Sequence, residues 1–241
     1  MKKHDRNILT KSAITGWFIS FLTISAFAGT FVETFENGNL EEWQELIWLD
    51  IDIGEASWEI MDGELQTFVP LGIMRLFTMG DERWRDYIIE FDVRPPKKHG
   101  PGNIAIAARV KENWAVWCTV GDNLQLLNNG GLPEPESRAT CFGGNFYVKD
   151  QMPILASTPT SLLKLNKWST LKLEVKGNDL TFWINDKDLL GPVVLELPNE
   201  LPSLLTGGIG LGLAGYTAHF DNIRITGDTV LDNGGFRLSL G

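Results

Sequence analysis

Gly207-Gly208-Ile209-Gly210-Leu211-Gly212-Leu213 and, a few residues on, Ala218-His219-Phe220-Asp221-Asn222-Ile223-Arg224-Ile225 decide the fold of this chain. They predict two apolar strands, the first spaced by glycines, joined by a short polar turn. The two-residue period that marks half-buried strands runs through much of the remaining sequence. Tyr87, Ile89, Phe91 and Val93 alternate with Ile88, Glu90, Asp92 and Arg94. Leu171, Leu173 and Val175 alternate with Lys172, Glu174 and Lys176, and Leu180, Phe182 and Ile184 with Thr181, Trp183 and Asn185. Gly177-Asn178-Asp179 between the last two runs predicts a hairpin, and Asn185 to Asp188 the next turn.

Working outward, Thr30 to Phe35 is predicted to open the domain. Ser57 to Ile60 and Glu64 to Phe68 flank a Met61-Asp62-Gly63 turn, and Ile73 to Phe77 follows. Asn103 to Val110 and Trp114 to Val120 flank Lys111-Glu112-Asn113, with Leu124 to Leu127 next. Residues 128–141 and 149–166, punctuated by Gly and Pro, are expected to be irregular loops, functional or mobile. Many short strands with Gly, Pro, Asn and Asp between them mean an all-β, single antiparallel β-sandwich of the jelly-roll kind.

Bulk properties bound what such a chain can do. Lys2, Lys3, Arg6 and Lys11 precede an apolar run from Ala13 to Phe27, and Ala26-Phe27-Ala28 is a small-x-small cleavage site. Residues 1–28 therefore predict a secretory signal peptide, 29–227 the sandwich, and 228–241 a C-terminal tail. An uncleaved membrane anchor is the rival reading, but the run is short for a full span. Cleavage removes four basic residues and Asp5, so the formal charge moves from −10 to −13. An acidic chain excludes phosphate-binding partners such as nucleic acid and disfavours anionic lipid. It suits a neutral ligand, and equally plain solubility. The 213 remaining residues fit one large sandwich. Cys118 and Cys141 make a disulfide in an oxidising compartment, contributing about 3 kcal/mol on the chain-entropy model, or else two buried thiols.

Four motifs in order carry a family resemblance: Phe35-Glu36-Asn37-Gly38 with Leu40 and Trp43; Trp58-Glu59-Ile60-Met61-Asp62-Gly63-Glu64-Leu65; Asp86 to Arg94; and Trp168 with the 171–185 hairpin, closed by Phe220 to Ile225. They resemble concanavalin-A-like and laminin-G-like domains across residues 31–226, and most nearly the 3-keto-disaccharide hydrolase family. The resemblance implies a carbohydrate-handling sandwich. That family often carries an Asn-Ser-Gly-Ile…Arg strand. Here it reads Asn103-Ile104-Ala105-Ile106-Ala107-Ala108-Arg109, keeping Asn and Arg but not the Ser-Gly pair. Laminarinase-type enzymes of this fold carry Glu-x-Asp-x-Glu on one strand, whereas Glu90-Phe91-Asp92-Val93-Arg94 has Arg at the third place. A two-carboxylate mechanism lacks a partner there, and a solvent-facing strand explains the pattern.

Two faces are candidates for contact with sugar. Alternation places Ile104, Ile106, Ala108 and Val110 inward and Asn103, Ala105, Ala107 and Arg109 outward. Trp117 then lies near Ala105 and Ala107. An indole over a shallow alanine floor, edged by Arg109, Asn103, Thr119 and Gln125, is a sugar platform, unless Trp117 packs under a long loop. Trp183 alternates outward and is a second contact residue or is covered by the tail. Related carbohydrate-binding sandwiches hold Ca²⁺ where the first and last strands meet, which nominates Glu36, Asn37 and Asp221; an Asx turn is the other explanation. No other cofactor is implied. The sequence thus predicts a secreted, periplasmic or cell-surface module recognising a neutral glycan. A glycoside hydrolase is the alternative, and a noncatalytic adhesion module the third reading.

Overall fold

The computed structural model describes residues 29–230 apart from 37, 52–54, 71, 123–136 and 198–200. The segment predicted as signal peptide, residues 231–241 of the predicted tail, the strand expected at Leu124, Gln125 and Asn37 lie outside the described residues, while Val230 at the start of that tail is buried in the core.

Strands dominate, all paired antiparallel. They are β1 (Gly29–Glu33), β2 (Gln44–Ile47), β3 (Ser57–Met61), β4 (Glu64–Val69), β5 (Arg75–Met79), β6 (Tyr87–Lys111), β7 (Trp114–Asp122), β8 (Ser137–Asn145), β9 (Ile154–Pro159), β10 (Ser169–Lys176), β11 (Asp179–Ile184), β12 (Lys187–Val194) and β13 (Gly208–Gly227). Two of them are long and pair with each other for most of their length, from Gly208 opposite Val110 to Gly227 opposite Tyr87. One end of this central ribbon belongs to a layer ordered β12-β11-β10-β6-β13-β4-β3, with β1 also on β13. The other end belongs to a layer ordered β2-β5-β13-β6-β7-β8-β9. Phe91, Phe220 and Leu171 of the first layer and Ile106, Cys118 and Leu211 of the second share one buried core, so the sheet is folded over on itself as a sandwich.

The turn expected between the two closing strands is therefore a bend within one strand, β13, and the runs 87–94 and 103–110 are likewise one strand, β6. The register shifts between Ala214 and Tyr216. A Cβ on Gly102 would collide with the carbonyl of Ala214, and one on Gly215, at φ +70, with that of Pro101. Glycine lets the two backbones cross closely at the corner.

Residues 128–141 and 149–166 are not wholly irregular: β8 begins at Ser137 and β9 occupies 154–159. Cys118 and Cys141 face each other across β7 and β8, 4.0 Å apart at Cα, and are bridged. Among the described residues no helix is long and apolar enough to cross a membrane.

Candidate functional site

The outer face of the second layer holds the predicted platform, and the register is as expected: Trp117 opposes Ala107 and Thr119 opposes Ala105. The face is not open, however. Trp117 is 2% exposed, stacked on Phe142 with centroids 5.3 Å apart and met edge-on by Phe146, also at 5.3 Å. Met74, Met152 and Ala115 complete this second apolar cluster, against which Trp48 and Leu49 pack. The cover is a segment that sequence periodicity could not place. Gly144, at φ +134, turns the chain back where a Cβ would strike the carbonyl of Gln151. Phe146 N–H then donates to the Asn113 carbonyl at 2.7 Å, Leu49 N–H to the Phe146 carbonyl at 3.1 Å, and the Trp48 indole N–H to Met152 Sδ at 3.2 Å. Trp117 is thus part of a satellite core.

Its expected companions are equally enclosed. Asn103 and Thr119 are each 5% exposed, the latter donating to the Thr140 carbonyl at 3.4 Å. Arg109 is fully buried. Here alternation fails for a local reason. The register between β6 and β7 shifts after Ala108, and Arg109 has φ +52. A bulge reverses which side successive residues face. Val110, predicted inward, joins Ala105 and Ala107 in the outer cluster. Arg109 turns away, donating to the Leu204 carbonyl at 2.8 Å and to Asp86 at 3.3 Å, while burial lowers the pKa of its guanidinium. Its backbone N–H donates to the Tyr87 hydroxyl, which donates in turn to the carbonyls of Gly207 and Gly208.

Beside this closed cluster the same face opens into a groove of about 430 Å³. Gln44 and Thr78, opposed across β2 and β5, form part of its wall. Tyr147, Asn113, Glu112 and Lys111 form another part, with Val110 as apolar floor. Tyr147 is half-buried, its N–H donating to Asn145 Oδ1 at 2.9 Å, while Asn113 donates to the same oxygen at 3.0 Å. Burial, and secondarily the charge of Asp50, raise the pKa of the Tyr147 phenol, so the hydroxyl keeps its proton. Lys111 is bonded to Glu82 at 3.1 Å, which leaves Glu42 and Glu112 as the groove's excess charge.

The outer face of the first layer gathers the remaining candidates. Glu90, Asp92 and Arg94 face out of β6, as alternation predicts. Glu64 Oε2 is 2.6 Å from His219 Nδ1 and 3.2 Å from Arg94 Nη2. Arg94 Nη2 also lies 3.1 Å from His219 Nδ1, so the three side chains form one closed triangle of contacts. Arg94 also lies over the Trp168 ring, 5.0 Å from its centroid. Asp92 accepts from Thr170 Oγ1 at 2.6 Å and from Asn222 Nδ2 at 3.0 Å. Asp221 is near: burial raises its pKa, reinforced by Glu64, Asp92 and Glu36. Glu36 is exposed. Among the described residues no three His, Cys, Asp or Glu side chains are grouped to hold a metal ion. Trp183 is half-buried with Lys172 over its ring at 4.7 Å.

The described residues thus form an antiparallel sandwich with a groove on the outer face of its second layer. Residues 30–226 match the 3-keto-alpha-glucoside-1,2-lyase-like domain, and the chain belongs to that family. No curated protein matches it. Among solved structures it is similar to the carbohydrate-binding module CBM66 of Bacillus subtilis, with TM-score 0.55 and 15% identity over 76% of this chain and 94% of the other. A Bacillus subtilis protein of unknown function with a galectin-like fold gives TM-score 0.57 and 11% identity over 82% and 96%. A Bacteroides ovatus mixed-linkage-glucan GH16 protein in complex with its product gives 0.52 and 12% over 81% and 99%. These likenesses establish the sandwich fold.

Proposed function

We propose that this chain is a carbohydrate-recognition module acting outside the cytoplasm, and that the groove bounded by Tyr147 holds an uncharged glycan. The observation that carries the reading is the groove itself. It is a shallow cleft with one half-buried aromatic ring and amide and hydroxyl groups from Gln44, Thr78 and Asn113 around it. A pyranose presents C–H faces to such a ring and hydroxyls to such a rim. Glu42 and Glu112 disfavour uronic acids or sulfated sugars by like-charge repulsion. The Cys118–Cys141 bridge suits an oxidising compartment, in keeping with the leader predicted at residues 1–28.

The test is electrophoresis of the protein through gels containing mixed-linkage β-glucan, xylan or levan. Tyr147→Ala and Gln44→Ala are expected to weaken retention at least tenfold, Gln44→Ala with melting nearly unchanged and Tyr147→Ala with a modest fall, because its half-buried ring packs against the satellite core. Unaltered retention in both variants rejects the groove.

A second reading, cleavage of the glycosidic bond, is favoured by the family match. Glu42 and Glu112 are the groove carboxylates outside the Lys111–Glu82 pair and are available for proton transfer there. Release of free sugar from 3-keto-glucosides, lost in Glu112→Gln, supports it; no turnover leaves recognition alone.

A further inference from the structure

We infer that the outer face of the first layer is a second glycan-contact surface, a strip along β10 from Trp168 to Trp183. One molecule then holds two carbohydrate chains on opposite sides of the sandwich. The inference rests on the groove reading only for the class of ligand; the strip has its own geometry.

Trp168 is 43% exposed and is the largest apolar side chain at the surface among the described residues. It stands just before β10. Trp183 opposes Lys172 on the neighbouring strand. Four residues of extended chain separate Trp168 from Lys172, a span of about 13 Å. That suits a short run of sugar rings rather than a single one. Both indoles are held by a cation, Arg94 at 5.0 Å and Lys172 at 4.7 Å, so little ring freedom is lost on binding. Between them lies Thr170, whose hydroxyl donates to Asp92 on β6, and Asn222 of β13 donates to the same carboxylate from its far side.

The charges say what sort of chain fits. Arg94 is bonded to Glu64 at 3.2 Å, Arg224 lies 3.5 Å from Glu90, and Lys172 lies 4.0 Å from Asp186. The strip therefore offers no surplus of positive charge to an acidic polymer. It offers carboxylate and hydroxyl oxygens that accept from sugar hydroxyls, between two aromatic faces. An uncharged linear glycan is the ligand of matching chemistry. With the groove on the opposite layer, the two sites cannot be served by one short oligosaccharide. A long polymer or two polymers would be bridged.

The test uses the full chain and beads coated with mixed-linkage β-glucan, xylan or levan. Wild type is expected to aggregate beads and to be retained in gels of the same glycan. Tyr147→Ala and the pair Trp168→Ala/Trp183→Ala should each abolish aggregation while keeping measurable retention, and the triple variant should lose retention more than tenfold further. Aggregation and retention undiminished in Trp168→Ala/Trp183→Ala overturn the strip. If that double variant loses retention while Tyr147→Ala keeps it in full, the strip stands and the groove falls. A wild type that binds none of the three glycans removes both. Circular dichroism of each variant at the assay temperature separates lost binding from lost folding, and Trp168→Phe, which retains an aromatic face, should restore most of the retention.

Discussion

Replacing Trp117 by Ala separates the closed face from the open one. If this indole were a platform for sugar, its removal would cost affinity and leave the fold intact. The structure predicts the opposite. The side chain is 2% exposed, between Phe142 and Phe146. A buried Trp→Ala change costs about 3–5 kcal/mol, and loss of two aromatic pairings puts this one towards the upper end. For a domain of this size, each kcal/mol moves the melting temperature by about 2–4 °C, so a fall of roughly 10–20 °C is expected. Trp117→Phe retains a ring in the stack and should lose roughly half as much. Thermal melts followed by circular dichroism give the first number and urea titration the second. Well below its melting point, Trp117→Ala should still be retained by glycan as wild type is. A variant that melts within 2 or 3 °C of wild type, about the effect of 1 kcal/mol, yet no longer binds, would refute the assignment of Trp117 to the core.

Two further outcomes follow from other side chains. The Cys118→Ala/Cys141→Ala variant should melt lower by roughly 6–12 °C, corresponding to about 3 kcal/mol; two titratable thiols in denatured, unreduced wild type would contradict the bridge. Asp221 has a pKa raised by burial and by neighbouring carboxylates, so the stability present below its unfolded pKa is lost as pH rises through its folded one. Asp221→Asn keeps an oxygen for the Asn222 N–H and should raise the melting temperature at pH 7 but not near pH 3; a gain of equal size at both would rule out the electrostatic cause.

How much of this was legible in the sequence depended on how far apart the deciding residues lie. The 171–184 hairpin was legible because its period and its Gly177-Asn178 turn are local, and Lys176 does oppose Asp179. The placement of Trp117 over Ala107 was legible for the same reason. The cover over it was not, because Phe146 and Met152 arrive from a segment whose polar, Gly- and Pro-bearing composition reads as loop. Arg109 and Val110 exchanged sides through a single bulge, and alternation cannot foresee where a register slips. Strands β8 and β9 were hidden by Arg138, Thr140, Gly143 and Gly144 in one and by Pro159 in the other. The outward-facing Glu90, Asp92 and Arg94 were legible, but their gathering with Glu64, His219 and Trp168 needed three further strands to be placed. An exposed tryptophan beside them was the missed signal.

The two long strands have a mechanical meaning. Because β6 and β13 run paired with each other through both layers, the two halves are joined by continuous backbone at the corner and by the core they share, so parting them means opening that corner and wetting the core while the ribbon itself stays paired. A polymer pulling on one side of the molecule and a polymer pulling on the other would load the shared core and the two backbones that turn the corner together.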